Sequence, residues 1–137
     1  MTRVARAAVV ATWLGLALEA LNQLDRWRRL GDGSYEPYGA SFVKAHLVAY
    51  AGVLVTLVAL AVLMSVARPP IRRWTLVAFA GALVHAIGLA ADIPYHLADA
   101  DSEVAHFTGY VGALTEVGAL AWITRVVHWR SHAQRSG

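Results

Sequence analysis

The chain has 137 residues, of which 58% are apolar and 15% charged, and its mean hydropathy is +0.49. This apolar fraction exceeds that of an ordinary soluble domain and predicts an integral membrane protein, so the net charge of +3 indicates juxtamembrane anchors rather than a nucleic-acid groove. Cysteine is absent, which excludes disulfides, thiolate metal sites and thiol redox chemistry.

Four apolar segments are long enough, at about 20 residues, to cross a hydrocarbon core of about 30 Å. In chain order they cover 4–24, 46–67, 74–91 and 104–127. Pro69 and Pro70 separate the second segment from the third, and a stretch rich in glycine and charge, 25–44, separates the first from the second. We therefore predict an all-α fold in which 1–137 form one domain, a bundle of four transmembrane helices.

Charge asymmetry between the two ends of these segments predicts their orientation. One side carries basic residues without a carboxylate among them: Arg3, Arg6, Arg68, Arg72, Arg73, Arg125, Arg130 and Arg135. The other side carries most of the acidic residues, together with Arg26, Arg28, Arg29 and Lys44. Because cytoplasmic loops are enriched in Lys and Arg, we predict a multi-pass protein of the cell membrane with both termini in the cytoplasm.

A partial repeat with an offset of sixty residues links the second and fourth segments. His46, Tyr50 and Gly52 recur as His106, Tyr110 and Gly112, along with the alanines and leucines around them. We predict two tandem two-helix repeats, about 4–67 and 72–127, which would place His46 and His106 at the same depth near a pseudo-two-fold axis.

Polar residues within the predicted spans form two tiers, because ionisable side chains in a membrane face the bundle interior. At a rise of about 1.5 Å per residue, Glu116 lies about 15 Å deeper than His106. The outer tier contains the histidines and carboxylates near the acidic side. The deeper tier consists of Glu19, His85 and Glu116, with Asn22 nearby. We consider for it a second metal, a proton relay, or a neutral hydrogen-bond network.

The sharpest local pattern is Asp92, then His96 one helical turn later, then His106 at the start of the next segment. A carboxylate and an imidazole one turn apart can chelate one ion, and a second imidazole can complete the site. We predict a transition-metal site from Asp92, His96 and His106, with His46 as a fourth ligand. The alternative is structural: Asp92 caps the helix or fixes the tautomer of His96.

This arrangement resembles the copper site in the C subunit of particulate methane and ammonia monooxygenases, where an Asp-x3-His pair ends one transmembrane helix and a histidine begins the next. The resemblance covers about fifteen residues, and the second spacing is shorter here. It implies that Asp92, His96 and His106 are copper ligands, and it places copper ahead of other divalent transition metals.

Two further functions are compatible with the sequence. His46 and His106 on opposing helices have the arrangement of axial ligands to haem b, which predicts an electron-transfer protein. Alternatively, the chain is an accessory subunit whose acidic loop binds a larger membrane complex. The expected partners are the lipid bilayer and either such subunits or a second copy of the chain. The sequence does not decide whether the protein is an enzyme.

Overall fold

The computed structural model describes residues 2–34 and 39–133, with side chains described for 2–34 and 41–127. Glu36, Arg130 and Arg135 of the predicted charge pattern lie outside those side chains. The described residues form helices α1 (Arg3–Gly31), α2 (Gly39–Ala45), α3 (Leu47–Val66), α4 (Ile71–Leu97) and α5 (Glu103–Ala133). α1, α3, α4 and the Glu103–Val127 part of α5 are long and apolar enough to cross a membrane. The prediction of four such helices is confirmed.

The ends of the helices differ from the predicted segments at the charged loops. α1 continues to Gly31 rather than ending at position 24, because Asp25 and Arg29 form an i,i+4 ion pair at 2.8 Å and no helix breaker intervenes. α4 begins at Ile71, directly after the two prolines, and continues to Leu97 rather than position 91. The short helix α2 lies inside the stretch predicted only as a separator.

The long helices pack in two antiparallel pairs, α1 with α3 and α4 with α5, and α3 also contacts α4. Glycines form the centre of each pair. A Cβ placed on Gly52 would lie 2.6 Å from the Gly15 carbonyl oxygen, and a Cβ on Gly112 would lie 2.7 Å from the Gly81 carbonyl oxygen. Small residues at such crossings let two membrane helices approach backbone to backbone.

The two ends of the bundle have different chemistry. We call the end where α1 stops and α4 turns into α5 the polar end, after the polar side chains buried there. We call the opposite end the apolar end, after its apolar core, although arginines lie at its surface. The apolar half has a dry core in which Leu60, Leu63, Leu120 and Ile123 are fully buried. The other half contains the buried ionisable side chains among the described residues, Glu19, His46, Asp92, His96 and Glu116, together with the buried amide of Asn22.

The glycine contact between α4 and α5 predicts the effect of a single methyl group. A Cβ on Gly112 would overlap the backbone nitrogen of His85, whereas a Cβ on Gly118, six residues further along α5, meets nothing within 4 Å. We expect Gly112→Ala to lower the free energy of unfolding in detergent by about 1–3 kcal/mol, the usual cost of overpacking. Gly118→Ala should be neutral or stabilising. Equal stabilities of the two variants would contradict this packing.

Candidate metal centre

A tight turn at the polar end brings α5 back against α4. The N–H of Ala100 donates to the carbonyl of Tyr95 at 2.9 Å, and the N–H of Asp99 donates to the carbonyl of His96 at 3.3 Å. These two bonds form a Schellman motif, with Asp99 at the left-handed position (φ 53°) that glycine usually occupies. The motif ends α4 at Leu97, one residue after His96, and reverses the chain direction.

The next helix starts only a few residues later, which fixes the height of His106. Ser102 caps α5 because its hydroxyl oxygen accepts from the N–H of Ala105 at 3.2 Å. His106 follows at the end of the first turn, and Asp101 immediately precedes the cap. The turn and the cap together place Asp101 and His106 opposite the last turns of α4.

Four side chains converge there and form what we call the metal cluster: Asp92, His96, Asp101 and His106. Oδ2 of Asp92 lies 2.9 Å from Nε2 of His96 and 2.9 Å from Nε2 of His106. Oδ1 of Asp101 lies 3.5 Å from Nε2 of His96 and 3.7 Å from Nδ1 of His106. Each residue offers one ligand atom, and these atoms all lie within 4.8 Å of one another.

These separations match the spacing of ligands around one small cation. Nitrogen and oxygen ligands bonded at about 2.0–2.1 Å lie about 2.9–3.4 Å apart in octahedral to tetrahedral geometry. The two distances from Asp92 Oδ2, to Nε2 of His96 and to Nε2 of His106, have this spacing.

The hydrogen bonding of the cluster is incomplete within the described part of the chain. Asp92 accepts a hydrogen bond from His96, but Nε2 of His106 has no hydrogen-bond partner, although Asp92 is only 2.9 Å away. Oδ1 of Asp92 is also buried without a partner, in a residue that is 4% exposed. Buried polar atoms without partners are costly, and a bound ion would satisfy both.

Asp101 was not predicted as a ligand from the sequence, where it counted only as one charge of the acidic side. It lies in the turn between His96 and His106. The short separation of the two histidines, nine residues, is the sequence signal that could have drawn attention to a carboxylate in this turn. Its side chain is 61% exposed, so it forms the solvent side of the cluster.

His46 lies beside the cluster rather than within it. Its Nδ1 donates to the carbonyl of Phe42 at 2.8 Å, which assigns the proton to Nδ1. The ring of Phe42 contacts the His46 ring at a centroid distance of 4.1 Å and stacks on the His96 ring at 3.7 Å. Burial lowers the pKa of His46. His46 as a fourth ligand stays a prediction.

The two histidines predicted as haem ligands line one cavity. This cavity, about 50 Å³ in volume, is lined by His46 and His106 and extends to His85. A volume of this size holds a few water molecules, whereas binding pockets for larger organic ligands measure about 300–1,000 Å³. No observation favours haem, and it remains a prediction from the sequence.

The structure brings the three residues of the deeper tier close together, and we call Glu19, His85 and Glu116 the inner triad. Oε2 of Glu19 lies 3.3 Å from Nδ1 of His85, and Oε2 of Glu116 lies 4.0 Å from the same nitrogen. Asn22 is buried on α1, three residues from Glu19. Among the described residues, the metal cluster is the group whose ligand atoms are close enough to share an ion, so the triad gives no support to a second metal.

Comparison with protein-family models, with curated proteins and with solved structures finds no match to this chain. The candidate function therefore depends on the chemistry of the residues. What the structure establishes is a bundle with four helices able to span a membrane and a His/Asp cluster able to hold a metal ion.

Proposed function

We propose that this protein is an integral membrane protein that binds a divalent transition-metal ion at the polar end of its bundle. Asp92, His96 and His106 are the central ligands, and Asp101 is the solvent-side ligand. The observation that carries the proposal is the position of Asp92 Oδ2, which lies 2.9 Å from Nε2 of both histidines. A carboxylate between two imidazoles is a donor set for such an ion.

Copper in its divalent state is the metal that this donor set favours. The cluster offers imidazole nitrogens and carboxylate oxygens, with no thiolate or thioether to favour Cu⁺. Among divalent first-row metals, sites of this kind bind Cu²⁺ most tightly. The resemblance of Asp92, His96 and His106 to the monooxygenase copper site points to the same metal. Zinc, iron and manganese accept the same ligands at lower affinity.

The exposure of the ligands indicates that the ion exchanges with the solution at the polar end. Asp92 and His96 are buried, while the side chains of His106 and Asp101 are 28% and 61% exposed. A site with two fixed and two accessible ligands can take up and release an ion without opening the bundle. We therefore propose acquisition or transfer of the metal as its role, rather than a structural role.

We infer that both termini face the cytoplasm, so that the polar end faces the outside. The apolar end carries Arg3, Arg6, Arg68, Arg72 and Arg73, and the carboxylates of the metal cluster lie at the opposite end. The positive-inside rule supports this orientation. The metal would then bind at the extracytoplasmic surface of the cell membrane.

We also infer that the bundle arose by duplication of a two-helix unit. Two reciprocal glycine contacts support this inference, Gly15 with Gly52 in the first pair and Gly81 with Gly112 in the second. Gly52 and Gly112 are related by the sixty-residue offset of the sequence repeat. Gly15 on α1 and Gly81 on α4 then align the first helices of the two units, which the sequence repeat does not align.

This register relates the polar residues of the two units. Glu19 follows Gly15 by four residues, as His85 follows Gly81, and Thr56 follows Gly52 as Glu116 follows Gly112. Each unit therefore contributes one ionisable side chain on its first helix. The metal ligands, in contrast, come from the second unit alone, with His46 as the counterpart of His106.

The absence of native cysteine makes the orientation directly testable. We expect Ser34→Cys, at the polar end, to react with a membrane-impermeant maleimide in intact cells. Arg68→Cys, at the apolar end, should react only after the membrane is permeabilised. The opposite pattern would place the metal cluster in the cytoplasm.

Metal affinity tests the proposed ligands. Loss of an outer-shell partner of a metal ligand costs about 10–100-fold in affinity, so removal of a ligand should cost at least about 100-fold. We expect Asp92→Asn, which preserves shape, and His106→Gln, which changes a partly exposed side chain, to lose Cu²⁺ by this factor. Equilibrium dialysis of untagged protein in mild detergent measures the affinity.

The matched control is Asp25→Asn, which removes an exposed carboxylate that is paired with Arg29 at the same end. It should bind Cu²⁺ like the wild type. His46→Asn decides whether His46 is a ligand in addition to the metal cluster. An affinity loss equal to that of His106→Gln makes His46 a ligand, and wild-type affinity limits it to packing. A wild type that binds no divalent metal would reduce the cluster to a hydrogen-bond network between α4 and α5.

A further inference from the structure

The inner triad has more buried polar atoms than the described part of the chain satisfies. Oε1 of Glu19, Oε1 of Glu116 and Nδ1 of His85 have no hydrogen-bond partner there, nor does Oγ1 of Thr56. Glu116 is 1% exposed and Thr56 is fully buried. Packing between helices does not need two carboxylates and an imidazole. The atoms without partners therefore indicate that these side chains bind something small between them.

Charge balance identifies that ligand as protons. Two carboxylates and a neutral imidazole together carry a charge of −2, so the three groups are electrically neutral only when they bind two more protons. In one arrangement, both Glu19 and Glu116 are protonated and His85 is neutral. In the other, His85 carries one of the two protons, one glutamate carries the second, and the other glutamate is a carboxylate. Since net charge among apolar helices is costly, an electrically neutral triad would hold these two protons, and His85 can pass a proton between the two carboxylates.

The cavity connects the triad to the metal cluster. His85 forms part of its wall, as do Asp92, His106 and the two glycines Gly88 and Gly109. Its volume of about 50 Å³ holds a few water molecules, which need the polar partners that this lining provides. Water in the cavity gives His85 a path for protons toward the polar end.

In the opposite direction, the described residues below the triad pack into the apolar core, where Leu60, Leu63 and Leu120 leave no exposed surface. The hydroxyls of Thr12 and Thr75 donate to backbone carbonyls of their own helices, so these two buried hydroxyls do not link the triad to the apolar end. Protons therefore enter and leave the triad through the cavity.

We propose that the inner triad is a proton store coupled to the metal cluster, an inference that rests on the proposed function. When a divalent cation binds at Asp92, His96 and His106, it adds two positive charges next to the cavity. One proton then leaves the triad for a cavity water and exits as hydronium at the polar end. The interior gains one charge instead of two, and release of the metal reverses the transfer.

Other ionisable groups also line the cavity and affect the charge of the triad. They are Arg26 from α1, His46 and Tyr50 from α2–α3, Asp92 from α4, and His106 and Tyr110 from α5. Among the described residues, the triad differs from them because it lies at the end of the cavity away from the metal cluster and contains two carboxylates. A variant must therefore remove both carboxylates while leaving the cavity wall intact.

The test counts protons released when Zn²⁺ binds to the full-length protein in lipid nanodiscs, with a pH indicator in weak buffer. We expect the wild type to release about one proton more per bound ion than Glu19→Gln/Glu116→Gln, which preserves side-chain shape. Zn²⁺ stoichiometry should be equal in the two. Asp25→Asn, which loses an exposed carboxylate, should release the wild-type number. Equal counts in wild type and double variant would overturn the proposal.

Infrared spectroscopy of the metal-free protein provides a second readout that does not depend on metal binding. The wild type should show a protonated-carboxyl band that shifts in D₂O and is absent from the double variant. If neither Zn²⁺ nor Cu²⁺ binds the wild type, the proposed function fails, and this infrared band then tests the proton store by itself. Absence of the band, or a band that the double variant retains, would overturn it.

Discussion

Close approach of α4 and α5 is the constraint on which the rest of the structure depends. Gly81 contacts Gly112, and Gly88 contacts Gly109, so that two backbones meet where side chains would otherwise separate them. This approach fixes the height of one helix against the other. It sets His106 beside Asp92 at the polar end and Glu116 beside His85 below. A larger residue at Gly112 would disturb both groups at once.

Both polar groups face the same electrostatic problem, because charge placed among apolar helices needs a counter-charge. In the function that we propose, a cation balances the charge of the metal cluster, since Asp92 is buried between two imidazoles and retains an oxygen without a partner in the described chain. In the same proposal, protons balance the carboxylates of Glu19 and Glu116. One cavity is lined by both His85 and His106, which would let the charge of one group affect the other.

The sequence predicted those features that depend on local pattern. Apolar length was sufficient for the four helices, and helical spacing was sufficient to group Asp92, His96 and His106. The membrane depth of Glu19, His85 and Glu116 stays a prediction. Asp101 was missed as a ligand because its position depends on the left-handed backbone at Asp99. The contact of Phe42 with His46 and His96 depends on α2, a helix concealed in a stretch rich in glycine and charge.

The most direct test of the metal centre is pulsed electron paramagnetic resonance of the Cu²⁺-loaded protein, which detects the nitrogens bonded to the ion. With Asp92, His96 and His106 as ligands, the spectrum should contain two coordinated imidazoles, and His106→Gln should reduce them to one. A spectrum without imidazole coupling, or one that His106→Gln leaves unchanged, would contradict the central claim that the turn between α4 and α5 builds a metal site.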